Sequence, residues 1–287
     1  NFLVMTSLAS TLTAGSLTIF NFAKNIQYFP VGIIGYSFAL AAFPALSEMI
    51  ANDNKLEMKQ HLIDTARKVL FFVVPITILF LLLRAQIVRV VFGSGEFGWD
   101  ATIKTADALA YFSMSLFAQS LIPLLIRGFF AVKDTWSPFI IAMISMVVNV
   151  GFALFLKEFY GVAGLAMAFS ISMVVQFALL WVLLRIKMDG LNEIEIVPLA
   201  GKISLAGFVM AIITQALKYP LASSVDMQRV WGIFTQGFVA GIVGLGIYLG
   251  ITYLLDIKEF YEFKASAKKK WMKWTDIENQ IDEPDQV

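Results

Sequence analysis

The 287-residue chain contains no cysteine and a single histidine, His61. Together those absences remove disulfide frameworks, thiolate nucleophiles and thiol-rich metal sites. Charge is scarce as well: 15% of residues are charged, 22 basic against 21 acidic, for a formal net charge of +1. The broad basic field of a nucleic-acid binder is therefore missing, and no nucleic-acid partner is expected. Long polar segments are missing too, so no connection can bury a core of its own and no soluble catalytic module is expected. What is plentiful is apolar surface. Hydrophobic residues make up 59% of the chain and mean hydropathy is +0.76, beyond the roughly one-half apolar share of soluble domains.

A membrane-spanning helix takes about 20 mostly apolar residues. Runs of that kind are predicted at 14–46, 69–92, 102–132, 138–156, 162–184, 199–217 and 230–255, after an apolar stub at 1–12. The expectation is an all-α polytopic membrane protein with seven full spans and one partial span. Short polar connections are expected between them, the segment 52–68 included. The chain starts at Asn1 with an apolar run already under way, which suggests a portion of a longer protein. Basic residues divide unevenly between the two sets of connections. Lys55, Lys59, Arg67, Lys68, Arg127, Lys133, Arg185, Lys187, Lys202 and six lysines after Leu255 fall on one side, against Arg84, Arg89, Lys104, Lys157, Lys218 and Arg229 on the other. The positive-inside rule makes the first side, with the C-terminus, cytoplasmic.

Several residues break the apolar pattern, and each admits two readings. Lys24 lies in an apolar stretch beside Asn21, Asn25 and Gln27. A lysine at the bilayer centre costs roughly 2.5–3.5 kcal/mol, so it either snorkels to an interface or aims a cation at an anionic substrate. Pro30, Gly32 and Gly35 follow, giving either a hinge of the transporter type, with a kink at Pro30, or a close-packing face. Asn149 is an amide inside an apolar run, where it serves as interhelical glue or coordinates an ion through its carbonyl oxygen. Arg127, a turn before the charged turn at Lys133–Asp134, offers a planar fork suited to phosphate. The stretch FGSGEFG places Gly93, Gly95 and Gly98 in G-x-G-x-x-G order. It joins two membrane helices where a dinucleotide site needs a strand before it, so a tight exit turn is the reading that fits. Gly237, Gly241, Gly244, Gly246 and Gly250 supply small-xxx-small pairs for helix packing. Past them, Phe260, Phe263, Trp271 and Trp274 interleave with lysines as in an interfacial anchor over anionic lipid. His61 has no partner at metal or nucleophile spacing, so an enzyme has no residues to stand on.

The motifs SLAS, AGSLTIFNFAKNIQYFPVGIIGYSFALAAFPALS, VVFGSGEF, RGFFAVKDTWSP, VVNVGFALFL and GVAGLAMAFS, in that order, resemble the MurJ/MviN family of lipid II flippases, over residues 1 to about 187. The resemblance implies fourteen helices in two lobes around a cationic cavity, within the superfamily of multidrug and polysaccharide exporters. It implies that this chain is the C-terminal lobe (1–187), two additional spans (188–255) and a basic, aromatic cytoplasmic tail (256–287). The N-terminal lobe of the same protein becomes an expected partner, and the last two helices border a groove for the lipid tail. Departures accompany the likeness. Met5 stands where the family carries an acid, Asn25 where it carries an arginine, Tyr28 where a Glu or Gln is found, and Ala153 where an acid accompanies the sodium-associated asparagine, here Asn149.

The function that this resemblance implies is translocation, by alternating access, of undecaprenyl-pyrophosphate-linked disaccharide-pentapeptide across the bacterial cytoplasmic membrane. No covalent chemistry and no cofactor are expected, with coupling to Na+ or to the membrane potential. Lys24 and Arg127 would attract the pyrophosphate, Asn25 and Gln27 would bond the headgroup, and the Pro30 region would bend. Export of another polyprenyl-linked glycan, or a non-transporting scaffold for cell-wall enzymes, are the alternatives.

Overall fold

The computed structural model describes residues 2–93, 98–227 and 229–269. Helix α1 (Phe2–Ser10) turns through Gly15, whose φ of 86° favours glycine, into α2 (Ser16–Pro30). A π-helical turn, Val31–Tyr36, follows, and then α3 (Ser37–Ala51). These three segments form one continuous 36-residue span. The kink expected at Pro30 is thus distributed. Pro30 keeps helical dihedrals (φ −64°, ψ −34°), and the wide turn lies immediately beyond the residue that has no N–H to give the ladder.

Helix α4 (Lys55–Phe92, 38 residues) corrects the polar loop expected over 52–68. Asn54 caps it by accepting the Glu57 N–H, and Met58, Leu62, Ile63 and Ala66 recur at helical spacing and are fully buried. The segment reads as polar because its outer face is charged, yet its inner face is core.

The single span expected at 102–132 is two helices, α5 (Trp99–Ser113) and α6 (Leu116–Ala131), bent by 46°. Pro123 lies inside α6 without breaking it. Helix α7 (Trp136–Lys187) is 52 residues long, about twice one span, and is broken at Gly161 (φ 54°, ψ −128°). Ser145 Oγ donates to the Ser172 carbonyl (2.8 Å) across a separation of 27 residues, so the two halves fold back on each other as a hairpin. Five helices are long and apolar enough to cross a membrane on their own, and the α5/α6 pair makes a sixth. With α7 counted as two crossings, the described residues contain the seven spans read from the sequence.

Helices α8 (Ile196–Ser224) and α9 (Val230–Leu254) pack on one another and along α4. Within the glycine series, a Cβ at Gly237 would meet Gln86, one at Gly241 would meet Leu83, and one at Gly244 would clash with Thr214. Gly246 and Gly250 meet nothing within 4 Å. The packing face is therefore the first three glycines alone. Tyr248 O–H donates to the Phe71 carbonyl (2.8 Å), tying α9 to α4 in the core.

The connections assigned to the basic side gather at one end of the bundle. There Lys187 pairs with Asp134, Arg185 with Glu193 (2.7 Å), Arg67 with Glu259 (2.7 Å) and Lys68 with Glu262 (2.8 Å). The start of the tail, helical over 258–269, is docked on α4 through these last two pairs and through Phe263 against Phe72. Glu259 is buried in this contact, while residues 263–269 are exposed. Trp271 and Trp274, like Gly95, lie outside the described residues.

Candidate functional site

Three helical faces converge on a cavity of about 480 Å³. Helix α2 contributes Phe20, Lys24, Gln27 and Tyr28, with Val31 and Tyr36 from the π-helical turn, a run that follows the i, i+3/i+4, i+7 spacing of one helix face. From α6 come Gln119, Ile122, Pro123 and Ile126, and from the second half of α7 come Phe169, Met173 and Gln176. Met5 of α1 closes the end nearest Phe20.

The levels of the wall are fixed by Gly35. A Cβ there would stand 2.8 Å from both the Cα and the carbonyl oxygen of Ser120, so the π-helical turn and α6 touch backbone to backbone. Gly32, one turn earlier, has nothing within 4 Å. The two glycines thus differ: Gly35 permits a close approach, and Gly32 does not.

The polar groups in the wall are unequal. Gln27 is only 1% exposed, and its Oε1 has no hydrogen-bond partner. Gln119, 6% exposed, donates from Nε2 to Ser115 Oγ (2.9 Å). Ser115 Oγ is 2.9 Å from Ser170 Oγ and 3.1 Å from the Phe112 carbonyl, and Ser170 Oγ donates to the Tyr111 carbonyl (2.6 Å). This chain of hydroxyls sits at the 46° break between α5 and α6, where it supplies partners to backbone groups that a continuous helix would have paired internally. Tyr28 and Tyr36 stand at the open side, half exposed, with ring centroids 6.2 Å apart.

Of the residues singled out in the sequence, Lys24 and Gln27 share the cavity, and Pro30 is buried just behind it. Lys24 lies eight residues into its span, about 12 Å from the helix start. Asn25 is exposed and is not part of the lining. Arg127 is also outside it. The lining ends at Ile126, and the Arg127 guanidinium is placed 5.0 Å over the Phe43 ring. Phe43 is 19 residues beyond Lys24 on the same continuous span, about 28 Å along the axis, so the two cations do not form one site. Asn149 is fully buried inside the α7 hairpin, one turn from Ser145 and from Ala153, which packs in a core cluster with Met5, Ala9 and Leu165. Among the described residues no group of three or more His, Cys, Asp or Glu side chains is gathered.

Gln119 and Gln176 were missed. The signal was available, an amide alone in an apolar run, as at Asn149. What the sequence does not carry is which such amide turns into a cavity and which into a helix pair.

The site is thus a mixed polar and apolar cavity walled by kinked and broken spans of a polytopic helical bundle. The fold of the bundle matches a solved structure of the lipid II flippase MurJ in the inward closed conformation (TM-score 0.70, 22% identity, covering 88% of this chain and 50% of that one). More distantly it matches a MOP-superfamily transporter from Pyrococcus furiosus (TM-score 0.52, 16% identity, covering 88% and 60%). The family model described as lipid II flippase MurJ matches residues 1–232. The chain belongs to that family. A probable lipid II flippase MurJ of Vibrio cholerae is 29% identical over 274 residues, 93% of this chain and 51% of the relative. One of Rhizobium meliloti is 29% identical over 273 residues, covering 94% and 50%. The chain therefore spans about half the length of the curated relatives it matches.

Proposed function

We propose that this chain forms one half of a flippase that carries undecaprenyl-pyrophosphate-linked disaccharide-pentapeptide from the inner to the outer leaflet of the bacterial cytoplasmic membrane by alternating access. The observation that carries the reading is the cavity itself. It holds one cationic side chain, Lys24, among neutral hydrogen-bonding groups, inside a bundle belonging to a flippase family. A cation in a low-dielectric wall attracts a pyrophosphate far more strongly than it would in water. The N-terminal half of the same protein would complete the cavity from its open side. There the exposed apolar strip of Phe29, Ile33, Tyr36 and Leu40 awaits a partner.

In this proposal the end bearing Lys59, Arg67, Lys187 and the C-terminal helix faces the cytoplasm, as the excess of basic residues there supports. Transport draws on the Na+ gradient or the membrane potential, with Asn149 as the candidate ion ligand. Collapsing each gradient separately in proteoliposomes tests that coupling. Substituting Lys24→Ala or Lys24→Glu in the full-length protein is expected to lower the rate of lipid flipping, the reversed charge more than the neutral one. Unchanged rates for both variants would remove Lys24 from the substrate path.

A further inference from the structure

The hydroxyl chain at the α5/α6 break has a direction, and that direction decides what the cavity wall can recognise. The Tyr111 carbonyl can only accept, so the Ser170 hydroxyl spends its proton there. Ser115 then gives its own proton to Ser170 Oγ or to the Phe112 carbonyl. By either route Ser115 Oγ has only lone pairs left for Gln119. The contact at 2.9 Å must therefore be made by one Gln119 N–H, which leaves the Gln119 carbonyl oxygen, with the second N–H, for the cavity. Gln27 presents the same polarity independently, since its carbonyl oxygen is buried in the wall with no partner. Two amide acceptors thus line one cavity, that of Gln119 oriented by Ser115 and that of Gln27 buried without a partner.

We propose that Gln27 and Gln119 form an acceptor subsite for the uncharged, proton-donating part of the headgroup, its sugar hydroxyls and amide N–H groups, and not for its pyrophosphate. The inference rests on the flippase reading given above. An ionised pyrophosphate diester carries only acceptors, so it gains nothing from two carbonyl oxygens and is repelled by their dipoles. A hydroxyl or acetamido N–H supplies what Gln27 lacks, and satisfying a buried orphan acceptor is worth more than adding a bond at a surface. The cavity is then divided between Lys24 for phosphate and the two glutamines for sugar or peptide. A site built on hydrogen bonds rejects analogues without the matching donors strongly, which makes this pair the specificity element.

The test measures binding to the full-length protein in nanodiscs of two lipids, undecaprenyl pyrophosphate bearing the disaccharide-pentapeptide and undecaprenyl pyrophosphate alone. Gln27→Met and Gln119→Met are each expected to weaken the sugar-bearing lipid about tenfold and to leave the bare pyrophosphate lipid within about twofold. Lys24→Met is expected to weaken both. Ser115→Ala, which frees Gln119 to rotate, should reproduce a smaller loss confined to the sugar-bearing lipid. Gln27→Met removes an orphan acceptor and should not lower the melting temperature, so it carries the test alone where Gln119→Met misfolds. Equal losses for both lipids, no loss for either, or a loss that appears only as altered Na+ dependence would overturn the subsite while leaving the flippase reading in place. Wild-type protein that binds neither lipid would overturn both.

Discussion

Gly32 and Gly35 sit three residues apart in one motif, and substituting each by alanine should move stability in opposite directions. At Gly35 the new Cβ would lie 2.8 Å from the Ser120 Cα and carbonyl oxygen, both of them backbone, so no side-chain rotation relieves the contact. Helix α6 and the π-helical turn would have to separate by several tenths of an ångström at the least. Overpacking of this kind costs about 1–3 kcal/mol. At Gly32 nothing stands within 4 Å, and alanine instead removes glycine's entropic disadvantage in a helical segment, a gain of up to about 1 kcal/mol. Thermal unfolding of the purified protein in detergent, followed by intrinsic fluorescence, reads both. Gly35→Ala is expected to lower Tm by roughly 5 °C and Gly32→Ala to leave it unchanged or raise it. Because the Gly35 contact sets the spacing of the π-helical turn and α6, Gly35→Ala should also alter lipid binding, whereas Gly32→Ala should not. Equal effects of the two substitutions would refute the assignment of Gly35 to packing.

The turn at the basic end gives a pH prediction. Burial raises the Asp134 pKa, but the Lys187 ammonium and the Ser137 hydroxyl and N–H outweigh it and hold the carboxyl at about 2, below its ordinary 3.8. A lowered folded pKa means a contribution that is complete above pH 3.8 and lost as pH falls from there toward 2. Comparing Asp134→Asn with wild type by thermal unfolding should therefore show a gap at pH 5–7 that closes only in that acid window; a gap that closes near pH 5 would contradict it. At the same end Asp53 and Asp256 adopt φ of 56° and 52° just past helix ends, where Asn54 N–H reaches back to the Met49 carbonyl and Ile257 N–H to the Thr252 carbonyl. Replacing Asp53 by glycine should stabilise the protein by about 1 kcal/mol, measured by the same melts, and Asp256→Gly should gain less because it also removes the hydrogen bond with the Tyr261 hydroxyl.

The spans were legible because hydropathy over 20 residues is a property of the chain alone, and so was the turn at Gly161, flagged by a short break between two apolar runs. The 46° bend before Ser115 was not. Neither proline nor glycine marks it, and the hydroxyl that bonds the Tyr111 carbonyl belongs to Ser170, 59 residues away. The helix over 55–68 was hidden for a related reason: its charges dominate average hydropathy, while its buried positions show only as a period. In the site, Lys24 and Gln27 stood out as polar residues in an apolar helix. Arg127 was expected beside them because sequence says nothing of depth, and the structure places it about 28 Å away on the scale of the span. Gln119 acquires its meaning only from the serines that orient it.

Helix α4 is 38 residues long, about 57 Å as a straight rod. About a third of the way along, it is joined to the C-terminal helix through Arg67 and Lys68, and its far third touches α5 through Arg84 and Asp107 (3.9 Å) and α8 through Lys218, whose ammonium donates to the Leu82 carbonyl. A stiff rod held at two points about 23 Å apart acts as a lever. A swing of about 10° around its middle displaces each tip by about 5 Å. Motion of the outer half is thereby geared to the tail helix through the rod that joins them, and a fluorophore on residues 258–269 becomes a gauge of what the opposite end is doing.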